Sequence, residues 1–354
     1  VKVLLDARKL GDGGIGTYLE NLIDGALELR DELSLTLLVS TGSKAKARWP
    51  EISTVEYPAG KYSLKELFLF SWHYRKILLE HDLFHVPHYT LPFFIPIPTV
   101  VTIHDAIHVT HPDTVFHKIF GYLYIYSALK RANRVITVSE ASKAVLQRIF
   151  PREIEVIPNA LKKSVWKISK EQVQGFLKEK NLPTQYLLFV GSDRPHKGFK
   201  ELCDALSILR LSNDSRTKDF ALVVIGNRYS DRDALEREFG ERIRFLGEVS
   251  EDDYIYILNG AVALIVTSKE EGFCLPALEA LACEVPVIST PIPAVREVCG
   301  AGAVYAKGFS SGEIAENIRE FFMINNRKFA LPKTISFIEG VTKNLEIYRK
   351  IKAN

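Results

Sequence analysis

The chain has 354 residues, 47% of them apolar and 25% charged, with a net charge of +3. That length exceeds one modest core and points to two domains, and a charge so slight and evenly spread excludes a nucleic-acid partner. Cys203, Cys274, Cys283 and Cys299 form no C-x-x-C pair and are expected as reduced thiols of a cytoplasmic protein rather than a disulfide frame.

Short apolar runs alternate with helical patterns from the start, the signature of parallel α/β sheets. The opening residues form a strand pattern rather than a signal peptide, and no apolar run approaches the roughly 20 residues that span a bilayer. Strands are expected at 3–7, 35–39, 83–86, 100–104, 135–138 and 155–157, with helices at 17–29, 64–79, 116–131 and 140–149. Pro158-Asn159-Ala160 and a polar stretch then suggest a linker, after which the pattern restarts. Strands at 186–190, 221–225, 243–246, 263–267 and 285–289 build a second sheet, and Gly191, Gly226 and Gly247 each close one. The last segment, 334–352, has helical spacing at Phe337, Val341, Leu345 and Tyr348.

The most informative segment runs from Ser268 through Glu271-Gly272-Phe273-Cys274-Leu275-Pro276 to Glu279. An apolar strand breaks into an acidic turn and then a helix, with Pro276 suited to the first helical position. The free N–H groups of Phe273, Cys274 and Leu275 would face a ligand above the strand ends, where a helix N-terminus favours phosphate. Glu271 and Glu279 flank that anion cradle as hydroxyl acceptors. The combination suits a sugar nucleotide: diphosphate on the helix, sugar and ribose hydroxyls on the carboxylates.

This segment resembles the E-x7-E signature, E-G-F-G-L-P-x-x-E, of the retaining GT-B glycosyltransferases of family four. Cys274 stands where that string has its second glycine. The resemblance extends along the chain in order: glycine loop, His-Asp, Ser-Glu, Pro-Asn, Lys-Gly, E-x7-E. It implies two doubly wound parallel-sheet (Rossmann-like) domains facing a cleft: 1–162 binding the acceptor and 163–333 the nucleotide sugar. Residues 334–354 would form a terminal helix crossing back to the first domain.

The resemblance also implies site roles. Glu271 would bind donor-sugar hydroxyls and Glu279 the ribose. Lys197 matches the family's phosphate lysine, and Arg194 is the second cation of the loop Gly191-Ser-Asp-Arg194-Pro-His196-Lys197-Gly198. Fixed cations there stabilise a leaving diphosphate more in the transition state than in the ground state. His196 is expected to shape the loop. The turn Phe245-Leu-Gly-Glu-Val249 would hold the nucleobase through backbone groups near Val249. His104 resembles the histidine that reaches the donor sugar, with Asp105 positioning it or contacting the acceptor. Gly13 and Gly14 would lie over the donor phosphates; Ser139 and Asn159 suit a helix cap and an interdomain turn.

Other readings of the same residues compete. Gly11-Asp-Gly13-Gly14-Ile-Gly16 matches the G-x-G-x-x-G of a dinucleotide-binding dehydrogenase, but the loop is long and the second strand ends in Val39-Ser40-Thr41 without an acidic residue for ribose. Eight of the nine histidines lie between His73 and His117, and His104-x3-His108-x2-His111 invites a metal; no carboxylate or cysteine recurs at ligand spacing. Asp231-Arg-Asp233 follows Ser230 at a helix start, where capping is the simpler account. No bound metal or other cofactor is therefore expected. The remaining histidines are expected as surface or acceptor-cleft residues. Two aromatic, basic stretches, 61–76 and 118–126, could dock on a membrane carrying a lipid-linked acceptor, although helices packed on the sheet are the simpler account.

The expectation is a metal-independent hexosyltransferase, with retention through front-face substitution. The Pro-His-Lys loop and Thr-Ile-His-Asp most resemble bacterial mannosyltransferases, which makes GDP-mannose the first donor and a UDP-sugar such as UDP-glucose the alternative. The acceptor would be a surface polysaccharide or lipid-linked glycan, and the location cytoplasmic or peripheral at the inner membrane face. A same-fold nucleotide-sugar epimerase and a non-catalytic sugar-nucleotide-binding subunit are the competing functions.

Overall fold

A computed structural model describes residues 1–58, 64–162, 164–212, 220–227, 229–323 and 336–353. It divides into two units, Val1–Lys162 with Thr334–Asn354, and Lys163–Lys333. In the first unit the strands are β1 (Lys2–Asp6), β2 (Ser34–Ser40), β3 (Ser53–Tyr57), β4 (Leu83–Val86), β5 (Thr99–Thr102), β6 (Arg134–Thr137) and β7 (Glu155–Val156). They pair in the order β3-β2-β1-β4-β5-β6-β7, all parallel.

Such a sheet is buried on both faces, which is why its central strands are largely apolar, with His85 in β4 and Thr102 in β5 buried as exceptions. Successive side chains point to opposite sides. Val3 and Leu5 join Leu19, Ile23 and Leu37 in one core, while Leu4 joins Leu38, Phe84 and Val101 in the other. The terminal helix Phe337–Lys352 lies over the first of these cores. A capping box of Ser336 and Glu339 starts it, and Val341, Leu345, Tyr348 and Ile351 bury its face.

The second unit repeats the logic with β8 (Tyr186–Val190), β9 (Ala221–Ile225), β10 (Ile243–Gly247), β11 (Ala263–Val266), β12 (Val287–Ser289) and β13 (Ala303–Tyr305). Their order is β10-β9-β8-β11-β12-β13, again parallel. All four cysteines are buried free thiols.

Several boundaries differ from the sequence expectations. Strands β3 and β13 were not expected; both are sheet edges, β3 with half-exposed residues such as Thr54 and Val55 that weaken the apolar signal and β13 only three residues long. The helix expected at 64–79 is two helices, Leu64–His73 and Arg75–Leu79, broken at Tyr74. Tyr74 is anchored there by ring contacts of 5.2 Å to both Tyr57 and Phe70, and its hydroxyl donates to the Glu56 carbonyl at 2.8 Å. The helix expected from 17 begins at Gly13, inside the glycine loop. The strand expected from 285 starts at Val287. Of the terminal helix expectation, 334 and 335 lie outside the described residues, as do 61–63 of the first aromatic stretch.

Candidate active site

Open parallel sheets bind ligands beyond the C-terminal strand ends, where the strand order reverses. In the second unit that point falls between β8 and β11. After β8 the chain makes a single 3-10 turn, Pro195–Lys197, and then Gly198 with φ of 65°. A Cβ on Gly198 would lie 2.1 Å from the Thr267 carbonyl oxygen, so only glycine lets this loop rest on the end of β11. The two loops are joined twice more: Thr267 Oγ1 donates to the Lys197 carbonyl at 3.0 Å, and Lys269 N–H to the His196 carbonyl at 2.7 Å. His196 is buried, in keeping with a role in shaping the loop.

That bracing brings Lys197 and Glu271 together. Lys197 Nζ lies 2.7 Å from Glu271 Oε1, which also accepts from Ser268 Oγ at 2.6 Å. The Lys197 and Glu271 side chains are 24% and 11% exposed, so the pair is sheltered yet open to a solute. Arg194, three residues earlier, is exposed. Gly272 is buried, and Val249 is half-buried in the turn that follows β10.

Cys274 forms the N-cap of the helix Leu275–Ala282 in the left-handed conformation, φ 71° and ψ 67°. This is the backbone shape that glycine adopts without strain, which explains the glycine of the family string. Phe273, Cys274 and Leu275 are buried. Burial, reinforced by the Glu271 charge, holds the Cys274 thiol well above its ordinary pKa, so it stays protonated. Pro276 occupies the second helical position rather than the first, where its missing N–H is still one with no intrahelical partner.

Glu279 is buried on the same helix, and its Oε2 accepts from the Tyr254 hydroxyl at 2.5 Å. Burial, and then the Glu279 charge, push the Tyr254 phenol well above its usual range, which keeps it a donor. Sequence reasoning missed both Ser268 and Tyr254. The available signal for Tyr254 was its place one turn into the helix Glu251–Gly260, directly after the Val249 turn. The capping account of Asp231 is corrected. Asp231 stands at the N-cap of Arg232–Phe239 but makes no cap bond, and the Ser230 hydroxyl turns instead to Asp193 Oδ2 at 3.1 Å.

In the first unit the order reverses between β1 and β4. There Asp6, at the end of β1, accepts from Arg8 Nε at 2.8 Å and from Arg8 Nη2 at 2.5 Å. His88 Nδ1 accepts from the Thr90 N–H at 3.1 Å, so its Nε2 is the nitrogen that donates to Asp6 Oδ2, 3.1 Å away. Burial alone would raise the Asp6 carboxyl; Arg8 and His88 outweigh it and hold it far below the carboxylate range. Arg8 is thus committed to Asp6 although it adjoins the glycine loop. Gly13 and Gly14 are exposed in that loop. A Cβ on Gly16 would meet the Gly11 nitrogen at 2.8 Å, which ties the loop closely to its helix. A cavity of about 440 Å³ beside it is lined by Ala7, Gly11, Ser43, Lys44 and Arg48, away from His104.

His104 follows β5. One ring nitrogen is hydrogen-bonded to the Pro87 carbonyl, while Nε2 is buried and has no partner among the described residues. Nδ1 therefore carries the proton and Nε2 the lone pair. Burial depresses its pKa to about 4, so the ring is neutral near pH 7. Asp105 Oδ1 accepts from the Ile107 N–H at 3.1 Å, which shapes the turn after His104. Ser139 caps the helix Glu140–Ile149, and Ser142 Oγ donates to the His104 carbonyl at 3.0 Å. The expectation that the other histidines lie on the surface or in a cleft fails for His85 and His88, which are buried among the strand ends. Asn159 is buried as well.

No helix among the described residues is long and apolar enough to cross a membrane. The helix Val115–Arg131 buries Gly121, Ile125, Ala128 and Leu129 against the sheet but leaves Phe116, Ile119 and Leu123 exposed. Phe68, Leu69 and Trp72 are exposed on Leu64–His73.

Known proteins resemble this chain over both units. The Glycosyltransferase Family 4 description matches residues 12–163, and Glycosyl transferases group 1 matches 172–331. The O-antigen chain mannosyltransferase RfbU of Salmonella typhimurium is 28% identical over 62% of this chain and 58% of its own length. The O-antigen chain mannosyltransferase B of Escherichia coli is 26% identical over 75% of this chain and 74% of its own. The matched region thus spans little more than half of the first relative. Among solved structures, HepE of Anabaena in complex with UDP and glucose has a TM-score of 0.77 at 18% identity, over 99% of each chain. WaaG, a glycosyltransferase involved in lipopolysaccharide biosynthesis, has 0.70 at 15% identity, over 99% of this chain and 98% of its own. The two matched descriptions, the pair of parallel-sheet units and the E-x7-E geometry agree: the chain belongs to the GT-B glycosyltransferases of family four.

Proposed function

We propose that the protein transfers mannose from GDP-mannose to a glycan or lipid-linked acceptor, with retention and without a bound metal. The observation that carries this reading is the sheltered Lys197–Glu271 contact at the switch point of the second sheet, beside the helix that starts at Leu275. Mannose is favoured because the relatives RfbU and mannosyltransferase B are named mannosyltransferases; the UDP and glucose bound to HepE keep UDP-glucose as the alternative.

In this reading the second unit takes the donor and the first the acceptor. The diphosphate draws Lys197 from Glu271 and accepts from the N–H groups of Phe273 to Leu275, with Arg194 closing over it and Gly13 and Gly14 covering the phosphates. Glu271, steadied by Ser268, accepts hydroxyls of the sugar, and Glu279, steadied by Tyr254, those of the ribose. His104 Nε2 accepts a sugar hydroxyl near the anomeric carbon. The bond from that carbon to the phosphate oxygen breaks as the acceptor hydroxyl attacks from the same face, and the acceptor's proton passes to the leaving phosphate. Asp105 is the carboxylate available for double displacement, but it serves the Ile107 N–H, which favours the front-face route.

The helix Val115–Arg131 leaves an apolar stripe exposed, has no acidic residue and exposes Lys118 and Lys130, which suits peripheral contact with an anionic bilayer holding a lipid-linked acceptor.

Calorimetry against GDP, UDP, ADP, GDP-mannose, UDP-glucose and NAD, with and without EDTA, tests the donor assignment. Selective, EDTA-insensitive binding of GDP and GDP-mannose is expected. Selective UDP binding would move the donor to a UDP-sugar, and a response to NAD alone would overturn the transferase reading. Transfer with inversion, read from the anomeric proton coupling of the product, would overturn retention. Release of an altered sugar without acceptor would mark an epimerase.

A further inference from the structure

The terminal helix Phe337–Lys352 carries two polar side chains on its buried stripe. Asn344 and Tyr348 sit among Val341, Leu345 and Ile351, and both are 2% exposed or less. Leucine or phenylalanine at those places would seat the helix as well, so their polar tips need a reason.

The Tyr348 tip enters a hydrogen-bonded chain. The Tyr348 hydroxyl lies 2.7 Å from His85 Nδ1, and His85 Nε2 lies 2.8 Å from Thr102 Oγ1. Thr102 Oγ1 continues to the Tyr18 hydroxyl at 3.1 Å, while Asn344 Nδ2 donates to the Gly340 carbonyl of its own helix at 2.9 Å. Tyr18 then presents its ring edge-on to His104, with centroids 4.9 Å apart and planes at 81°. Every link of the chain is buried. A neutral imidazole has one donor and one acceptor, and a threonine hydroxyl has a single proton, so each link fixes the orientation of the next. The chain spans 263 residues of sequence between His85 and Tyr348 and ends against a histidine whose outer nitrogen is buried without a partner among the described residues.

We propose that the terminal helix is a positioning element for His104: the chain Tyr348–His85–Thr102–Tyr18 holds the Tyr18 ring against the imidazole, keeping Nε2 dry and fixed in direction as a hydroxyl acceptor. The proposal rests on the transfer reading only in giving His104 a sugar hydroxyl to accept. Besides Tyr18, the groups around His104 are the Pro87 carbonyl, which fixes its tautomer, His88 and Lys9, whose charges oppose its protonation, and His85, which stays neutral.

The test follows the His104 proton directly. The ring signals of histidine-labelled protein are titrated by NMR, His104 being assigned from a His104→Gln variant. The variants are Tyr348→Phe, which keeps the ring and removes the hydroxyl, and Thr102→Val, which cuts the chain midway. The His104 midpoint is expected near 4 in the native chain and at least about one unit higher in both variants, as water reaches the ring. Transfer should fall about tenfold in kcat with the donor KM little changed, and the acid limb of kcat should rise with the midpoint. Folded variants that lose thermal stability but keep the native midpoint would overturn the proposal, since the chain would then be structural only. If either variant fails to fold, Tyr18→Phe, which leaves the ring but severs its hydroxyl bonds, makes the same prediction. A moved midpoint together with full transfer by His104→Gln would leave the positioning chain standing and refute the role given to His104.

Discussion

The two switch points of this molecule use opposite electrostatics. In the second unit, Lys197 and Glu271 are formal charges already paired, partly open to solvent, on loops braced by backbone hydrogen bonds. In the first, His85 and His104 are held neutral, His85 buried between two hydroxyls and His104 half-buried on the Pro87 carbonyl, while the buried Asp6 carboxylate nearby is satisfied internally by Arg8 and His88. The difference teaches what each place can do. Paired charges can exchange one partner for an incoming anion at small cost, because the site stays charged throughout. A neutral network cannot neutralise a phosphate, but it can fix a lone pair in direction.

The contrast breaks most visibly at Lys197. Lys197→Ala should lower kcat by about a hundredfold or more, with melting held within about 3 °C because Ser268 still holds Glu271. A folded variant with full turnover would remove the phosphate role. The pairing itself can be weighed by a double-mutant cycle of Lys197→Ala and Glu271→Gln on nucleoside diphosphate affinity. A coupling of about 1–2 kcal/mol is expected, and additivity would mean that the contact does not bear on binding.

Acid sharpens the other side. The pKa of His85 is lowered to about 3 and that of His104 to about 4, chiefly by burial, against an ordinary 6.5. Below about pH 6.5 the unfolded chain takes up protons that the native one refuses, so this stabilisation is present above that pH and is lost progressively as pH falls through 6.5 toward 4. Melts between pH 4 and 8 should therefore show a shallower acid loss for His104→Gln than for the native chain; equal slopes would show that His104 is not held neutral.

Smaller effects are expected at the helix of the second unit. Tyr254→Phe removes one charge-assisted donor to Glu279 and should weaken nucleotide binding several-fold, roughly 1 kcal/mol, leaving kcat at saturation unchanged. Cys274→Gly relieves a left-handed residue worth about 1 kcal/mol but gives up a buried thiol, so stability should change by less than about 1 kcal/mol. A large loss would mean that the thiol packs more tightly than its conformation suggests.

Much of this was legible in the chain. The parallel α/β class followed from unbroken apolar runs such as 186–190 and 221–225, because strands buried on both faces leave no room for polar alternation. Loop residues with a covalent spacing, from Glu271 to Glu279 and from Arg194 to Lys197, were legible because adjacency in sequence fixes what they can share. Ser268 stands only three residues before Glu271 in the same turn and was overlooked rather than hidden. Tyr254 was not legible, since it acts on a carboxylate presented by a different helix. The break at Tyr74 was hidden for the same reason: its cause is the rings of Tyr57 and Phe70.

The sequence by itself determined the family, the two-sheet class and the motif-borne candidates, because these depend on local periodicity and on short spacings. Only the tertiary structure decided that His88 reaches Asp6, that Lys197 meets Glu271 at 2.7 Å, and that Tyr348 reaches His85 from the far end of the chain. Such contacts come from strand order and helix docking. Hydrogen-bond partners and dehydration are set by whatever packs alongside, and no spacing along the chain encodes that.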